Sequence, residues 1–337
     1  MSVDTALAQA SNLLVYSSMT VYAGALVAYA VDLSGKGAGA RVSPGADAGR
    51  KQLVGAGSAS AAPSVGSGGG GGADGAPVDG AGRSRAAGAA VALTWLAALL
   101  HGAAVLSRGL SAQRVPWSNM YEFSLTGALV VMTVFLGLLV RRRDLAFLGA
   151  FVVGPVLLTL GVAIVVLYTE SAQLVPALQS YWLVIHVSVA FIASALLTVG
   201  FSATVLQLVQ HRREDLRAIG RDQRGGVFMD RLPASAELER IGYRLVALAF
   251  PLWTFTLVAG AIWAEKAWGR YWGWDPKEVW TFVIWVVYAA YLHARATRGW
   301  DGRRAAYLSI AGFVCLLVNF GVVNVFFSGN HSYAGIG

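Results

Sequence analysis

The sequence has few charged residues and a single cysteine. Charged side chains make up 13% of its 337 residues, about half the share found in soluble globular domains. A soluble globular fold is therefore excluded, and the hydrophobic share of 56% indicates a polytopic membrane protein. Cys315 alone cannot form an internal disulfide or a Cys-x-x-Cys pair, so any thiol chemistry must come from a partner.

The glycine-rich segment lacks the residues of a phosphate-binding loop. Residues 32–86 are rich in Gly, Ala and Ser, and no Lys-Ser or Lys-Thr pair follows the run "SVGSGGGGG". Almost no large apolar side chain follows Val54, so the segment cannot bury enough surface to offset its chain entropy. We expect a disordered cytoplasmic linker between the first two membrane spans.

Long apolar runs predict an all-α membrane protein with about eight transmembrane helices. A helix needs about 20 apolar residues to cross the bilayer. The first run has no basic segment and cleavage site of a signal peptide, so we expect it to be retained. The chain then divides into a first span (1–31), the linker (32–86) and a transmembrane core (87–337). The runs are 13–31, 87–107, 119–140, 145–168, 181–210, 241–263, 280–298 and 305–327.

The distribution of Lys and Arg predicts the orientation of these spans. All but five of the 26 basic residues lie in the segments after spans one, three, five and seven or close to them, and such segments face the cytoplasm. Both termini are therefore expected outside. The Arg-rich stretches at 141–143 and 211–240 are interpreted as topogenic charge, with no nucleic-acid partner. The five outer basic residues are Arg108, Arg114, Lys266, Arg270 and Lys277.

The stretch "WAEKAWGRYWGWDPKEVWTFVIW" at 263–285 holds six of the 11 tryptophans. Its "DPKE" is typical of a helix start, with Asp275 as N-cap, Pro276 at the first helical position and Glu278 reaching back from the third. Interfacial anchoring explains two or three of the indoles. It does not explain "WGRYWGW", where glycines between the rings leave room for a flat ligand.

A ligand suited to this outer loop (263–280) is planar, largely apolar and partly anionic, and haem has these properties. Indoles can stack on the macrocycle, while Arg270 and Lys277 can meet its propionates. Haem iron also requires axial ligands, for which histidine is a common choice.

The depths of the histidines select candidates for those ligands. His186 lies about 9 Å below the outer end of span five, and His331 follows the outer end of span eight. Both can approach the outer loop. His293 lies about 20 Å deeper on span seven and indicates a second, deeper site. His101 is a weaker candidate near the outer end of span two, and His211 begins a basic cytoplasmic segment.

These motifs together resemble a known family. "WGRYWGWDPKE" resembles the tryptophan-rich (WWD) signature of the haem-handling proteins, specifically the CcsA/ResC (CcsB-type) subunits of System II cytochrome c biogenesis. "PWSNMYEFS", "YWLVIHV", "YLHAR" and "NHSYAG" also match, so the resemblance covers about 87–337. The glycine-rich segment departs from the compact form of the family. The matching motif positions are Trp268, Gly269, Arg270, Tyr271, Trp272, Gly273, Trp274, Asp275, Pro276, Lys277, Glu278, Trp280, Asn119 and Glu122.

The resemblance implies a pathway for haem b as transported substrate. His186 and His331 would be its axial ligands at the outer loop, and His293 would belong to a stop nearer the cytoplasm. The chain would act in the plasma membrane as the membrane subunit of a cytochrome c synthase, with no certain catalytic residue of its own. Implied partners are a ResB/Ccs1-type subunit, apocytochrome c, a thioredoxin-like reductant and a transmembrane thiol relay.

Three other functions remain open on sequence grounds. A haem exporter or chaperone of the same superfamily would deliver haem to a carrier, although the "DPKE" form favours the synthase subunit. A solute transporter would be expected to show internal repeats and paired broken helices, for which Pro155 and Pro251 are slight indications. A purely structural subunit would leave the clustered Trp and His unexplained.

The charge asymmetry gives a testable topology. Reporter fusions after Arg143 and within 211–240 should be active only as cytoplasmic reporters, because the flanking segments carry most of the basic residues. A fusion within 266–278 should read outside. The reverse pattern would contradict the orientation and every depth inferred from it.

Overall fold

The structure, a computed structural model, describes residues 4–34, 85–171, 179–221 and 227–331. Nearly all of the predicted linker lies outside these residues, as does the chain after His331. The described edges show that 32–33 continue the first helix and that the second helix begins at Arg85. The linker prediction is therefore wrong by a few residues at both ends.

The described residues are helical, with eight helices long and apolar enough to cross a membrane. This confirms the predicted all-α fold. In chain order the helices are α1 (Thr5–Leu33), α2 (Arg85–Ala112), α3 (Met120–Arg141), a 3₁₀ turn (Arg143–Leu148) leading into α4 (Gly149–Val165), α5 (Tyr181–Ala218), a short α6 (Val227–Asp230), α7 (Ser235–Trp268), α8 (Pro276–Arg298) and α9 (Gly302–Leu317). A π-helical turn (Val318–Val322) and α10 (Val323–Phe326) complete the last span.

Two long helix pairs organise the fold. α1 packs along α2, and α5 packs along α7, with α3 between the two pairs in contact with α4 and α5. α8 lies against α9, and α9 also contacts α5. The N-terminal ends of α3 and α5 and the C-terminal end of α7 thus lie around the beginning of α8. The segments that carry His186, His331 and the outer loop (263–280) come together in this region.

α5 and α7 extend beyond the predicted spans. At 38 and 34 residues they are roughly 57 and 51 Å long, longer than a bilayer core of about 30 Å. Part of the predicted 211–240 loop is therefore helical. Its basic side chains meet acidic ones: Arg213 and Arg217 share Asp230 at 2.7 and 2.6 Å. These pairs rigidify the region that the sequence identifies only by its charge.

Buried charges join the outer ends of α2 and α3. Glu122 accepts hydrogen bonds from Arg108 Nε at 3.1 Å and from Arg114 Nη1 at 2.6 Å, and its side chain is fully buried. Ser118 donates to Glu122 Oε2 through both its backbone N–H and its hydroxyl. Asn119 caps α3 by accepting from the Glu122 backbone N–H at 2.9 Å. Asn119 and Glu122, which the sequence analysis names only as motif positions, therefore cap α3 and join its start to the end of α2.

Removing the carboxylate of this cluster should destabilise the protein strongly. Glu122→Ala leaves two buried guanidinium groups facing each other, and breaking a buried ion pair on one side costs about 3–5 kcal/mol. Thermal unfolding of the purified protein in detergent measures the effect. The matched control is Asp144→Ala, which removes an exposed pair with Arg142 and should change the melting temperature little. Equal melting temperatures for both variants would contradict the assigned role of Glu122.

Candidate functional site

A cavity of about 500 Å³ opens among α3, α5, α7, α8 and the last span. Its walls are mainly aliphatic and aromatic side chains, which suits a largely apolar ligand. The polar side chains at its outer end are few and specific. They include His186, Lys277, Glu278, Asn319 and His331, and Trp263 and Trp272 also line the cavity.

His186 enters the cavity from α5. The Ser180 hydroxyl caps this helix by accepting from the Trp182 backbone N–H at 3.3 Å, which places His186 in the second turn. The ring Nδ1 lies 2.9 Å from the Thr256 carbonyl oxygen on α7. Because a carbonyl oxygen can only accept, Nδ1 must carry the proton. The other ring nitrogen, Nε2, is left available as a metal ligand.

His331 reaches the same cavity from the segment after the last span. Its Nδ1 lies 2.9 Å from Asp275 Oδ1, the side chain that also caps α8. A carboxylate that accepts from Nδ1 again leaves Nε2 available. The two histidines that the sequence selected therefore line one cavity, each with its Nδ1 bonded to the protein.

Trp263 lies beside both imidazoles. Its ring is stacked on His186 with centroids 6.1 Å apart and meets His331 edge-on at 5.5 Å. Trp268 contacts His331 edge-on at 4.9 Å and Trp263 at 4.7 Å. Trp263 is 2% exposed. Indoles from the end of α7 thus hold the histidines in place, a role that sequence reasoning did not assign to Trp263.

The predicted start of α8 is confirmed. Asp275 is the N-cap and Pro276 the first helical residue, and Glu278 closes a capping box. Glu278 Oε2 accepts from the backbone N–H groups of Gly273 at 2.7 Å and Asp275 at 3.2 Å. α7 ends at Trp268, and its C-cap residue Gly269 has a φ of 71°, which lies in the left-handed region. Both ends of the outer loop are therefore fixed by residues that suit these turns.

The ionisation of Asp275 is set by its neighbours. Burial alone would raise its pKa, but the hydrogen bond and charge of His331 and the backbone N–H groups of Lys277 and Asn330 lower the pKa to about 2. The group is consequently an anion at neutral pH. Its negative charge lies next to Nδ1 of the His331 imidazole.

Lys277 places its amino group in the cavity wall without an ion-pair partner among the described residues. Its Nζ donates to the Asn319 carbonyl oxygen at 2.8 Å and to Asn324 Oδ1 at 2.9 Å. Asn319 lies in the π-helical turn Val318–Val322, where the changed register accompanies a carbonyl that accepts from a side chain. Because both acceptors are neutral, an anionic group of a ligand at this position would stabilise the ammonium form.

The remaining loop residues are spread around the outer opening. Tyr271 and Trp272 line the cavity with exposed fractions of 63% and 37%. Trp274 is 78% exposed, has a φ of 59°, and meets Trp272 edge-on at 5.9 Å outside the cavity wall. Arg270 is exposed and does not line the cavity, and Trp280 is partly buried on α8. Of the predicted loop ligands, the structure brings only Tyr271, Trp272 and Lys277 to the cavity.

The other three histidines lie elsewhere. His293 is exposed on α8, 17 residues or roughly 26 Å along the helix from Pro276, and does not line the cavity. His101 is buried beside Tyr22, with ring centroids 6.1 Å apart. His211 lies 4.0 Å from Asp215 at the inner end of α5. The predicted separation of His293 from the outer pair agrees with this geometry.

Some site residues were missed by the sequence analysis. Thr256 and Gly260 lie one turn apart on α7 and face His186, but nothing distinguishes them from ordinary helix residues. Asn319 and Asn324 had a signal, since amide side chains in an apolar span are functional candidates by default.

The donor set fits haem better than a bare metal ion. The described residues contain no group of three or more His, Cys, Asp or Glu that could hold a metal ion. Two imidazoles with available Nε2 atoms are the usual axial pair for iron that already has four porphyrin nitrogens. The apolar walls and the cation of Lys277 suit the macrocycle and its carboxylates.

A protein-family match covers the residues that line the cavity. The family described as cytochrome C assembly protein matches residues 117–331. A cytochrome c biogenesis protein CcsA of Prochlorococcus marinus is 36% identical over 250 residues, covering 67% of this chain and 78% of the relative. A CcsA of Synechococcus elongatus is 37% identical over 290 residues, covering 73% and 86%.

A solved structure shares the fold. The chain of a cytochrome c haem lyase CcmF superposes with a TM-score of 0.59 at 17% sequence identity, over 99% of this chain and 50% of that one. At this identity the likeness concerns the fold alone. The present chain spans half the length of that protein.

Gly260 allows a direct test of the site geometry. A Cβ at this position would lie 2.7 Å from His186 Cε1, so Gly260→Ala should displace the imidazole from its observed position. We expect reduced or altered haem absorption in the purified variant. The control is Gly102→Ala, where a Cβ meets nothing within 4 Å. An unchanged spectrum in Gly260→Ala would show that the position of His186 is not critical.

Proposed function

The chain belongs to the cytochrome c assembly protein family, and we propose that it carries haem b to the outer cavity and presents it there for covalent attachment to apocytochrome c. Cytochrome c biogenesis and the handling of haem follow from the family and its CcsA relatives. The placement of haem between His186 and His331 is the specific proposal. Its main support is that both imidazoles line one cavity, beside the same indole, with Nε2 available.

The attachment reaction needs positioning more than acid–base groups. A cysteine thiol of the apocytochrome adds across a haem vinyl group: its sulfur bonds to the carbon next to the ring, and its proton goes to the terminal carbon. No oxidant is consumed if the iron and the thiols arrive reduced. Holding the two reactants in register can supply much of the rate enhancement. In this chain the aromatic walls and the two histidines supply that register.

Lys277 is the better candidate for contact with a haem propionate. Its ammonium group lies in the cavity wall and has only neutral oxygen partners. Arg270 is exposed outside the wall, so it would have to turn inward to take the same role. We therefore assign the first propionate contact to Lys277 and keep Arg270 as a residue of the outer rim.

His293 supports a second, deeper stop for haem. Its side chain is exposed on α8 and lies far from the outer pair. The proposed order is the His293 site first and the outer cavity second.

The reaction requires partners that this chain does not contain. The described outer connections are short, so we propose that a ResB/Ccs1-type membrane subunit supplies the surface that receives apocytochrome c. Cys315 lies within α9 and has no second cysteine in the sequence. Reduced thiols would thus depend on a thioredoxin-like protein and a transmembrane relay. We place the complex in the plasma membrane with the cavity on the outer face.

Removal of either histidine tests the proposed ligand pair. His186→Gly and His331→Gly should retain part of the haem, because the aromatic walls remain, but with altered spin state and absorption. Exogenous imidazole should restore the six-coordinate spectrum, since it replaces the missing ring nitrogen.

Two controls sharpen this experiment. His211→Gly should leave the spectrum unchanged, because His211 lies at the inner end of α5. Trp272→Ala should lose haem in a way that imidazole does not repair, whereas Trp274→Ala should have a smaller effect because its ring is outside the cavity wall. A normal six-coordinate spectrum in either cavity histidine variant without imidazole would remove that residue from the site.

A further inference from the structure

The Nδ1 atoms of the two cavity histidines form hydrogen bonds with different kinds of acceptor. His186 Nδ1 donates to a neutral backbone carbonyl, that of Thr256, whereas His331 Nδ1 faces the carboxylate of Asp275. The lengths of both bonds are 2.9 Å, so the difference lies in charge and not in distance. Hydrogen bonds in which one partner is charged are stronger than those between neutral groups.

We propose that Asp275 is a positioning residue for His331, which fixes the imidazole with Nε2 toward the cavity and makes it the more electron-rich of the two ligands. This inference rests on the proposed role of the cavity in binding haem. A carboxylate behind a metal-bound histidine sets the tautomer and raises the basicity of the ligand. Asp275 thereby has a role that helix capping alone does not explain.

The capping role does not require a carboxylate. Asn and Ser cap helices about as well as Asp, and the cap of α8 needs only one acceptor for the Lys277 backbone N–H, at 3.0 Å from Asp275 Oδ1. The same Oδ1 also meets His331, and Oδ2 accepts from the Asn330 backbone N–H at 2.6 Å. Asp275 is 7% exposed, so its charge acts on His331 with little screening by water.

The charge of Asp275 should act on the oxidation states of haem iron unequally. Ferric iron carries one more positive charge than ferrous iron, so an electron-rich His331 stabilises the ferric form more. Asp275 should therefore hold the midpoint potential of bound haem lower than a neutral residue would. Loss of such a partner typically weakens metal binding about 10–100-fold.

The test is Asp275→Asn, with haem bound to the full-length protein. The amide retains one acceptor oxygen for the helix cap but removes the negative charge. We expect the midpoint potential to rise and ferric haem affinity to fall about 10–100-fold. Asp275→Glu restores the charge and should return the potential toward its original value.

Asp4→Asn is the matched control. Asp4 is also an N-cap aspartate, whose side chain accepts from the Leu7 backbone N–H at 3.1 Å at the start of α1, and it does not line the cavity. A general effect of losing a capping carboxylate predicts similar changes in both variants. An unchanged potential in Asp275→Asn, or an equal rise in Asp4→Asn, would overturn the proposal.

A second measurement needs no haem. In the haem-free protein labelled with ¹⁵N-histidine, His331 should be the tautomer protonated at Nδ1, assigned by comparison with His331→Gln. The tautomer protonated at Nε2 would overturn the proposal even if Asp275→Asn fails to fold. If the unaltered protein binds no haem, the proposed function fails, while the tautomer still decides whether Asp275 orients His331.

Discussion

The carboxylate of Asp275 joins parts of the chain that are 56 positions apart. It starts α8, receives the Asn330 backbone N–H and holds the ring of His331. α8 also carries Lys277, and Glu278 fixes the loop that precedes the helix. The outer half of the cavity therefore depends on one buried anion. Without it, the start of the helix, the loop and the final segment would have no common anchor.

The position of the Lys277 amino group depends on an irregular turn in the last span. A regular α-helix would bond each carbonyl in the last span to its own backbone, but the π-helical turn at Val318–Val322 accompanies an Asn319 carbonyl that accepts from Lys277. The ammonium group is thereby held in an apolar wall without an acidic partner among the described residues. Polar groups in a membrane interior are costly unless they are satisfied, and the Asn319 carbonyl and Asn324 Oδ1 satisfy the amino group of Lys277.

The sequence predicts the fold well because the bilayer leaves few alternatives. Eight apolar runs became eight helices, and the "DPKE" cap appeared where its residues predicted it. The depths of His186 and His331 along their helices predicted that both residues lie in the same layer, and in the structure both line one cavity. The rest depends on tertiary contacts. The sequence does not distinguish Trp263 from ordinary interfacial indoles, and Arg270 and Trp274 lie outside the cavity wall in a loop with left-handed turns at Gly269 and Trp274. Periodicity along one helix cannot show such turns.

The two cavity histidines are held in different ways. His186 belongs to a long packed helix and bonds to a carbonyl of α7 one turn from Gly260, so its position depends on the packing of α5 against α7. His331 is held after the last span by Asp275 and the rings of Trp263 and Trp268. The exposed Tyr271 and Trp272 border the same side. Under the proposed function, a flat and bulky substrate would meet the exposed rings of the outer loop on one side and the packed helices α5 and α7 on the other.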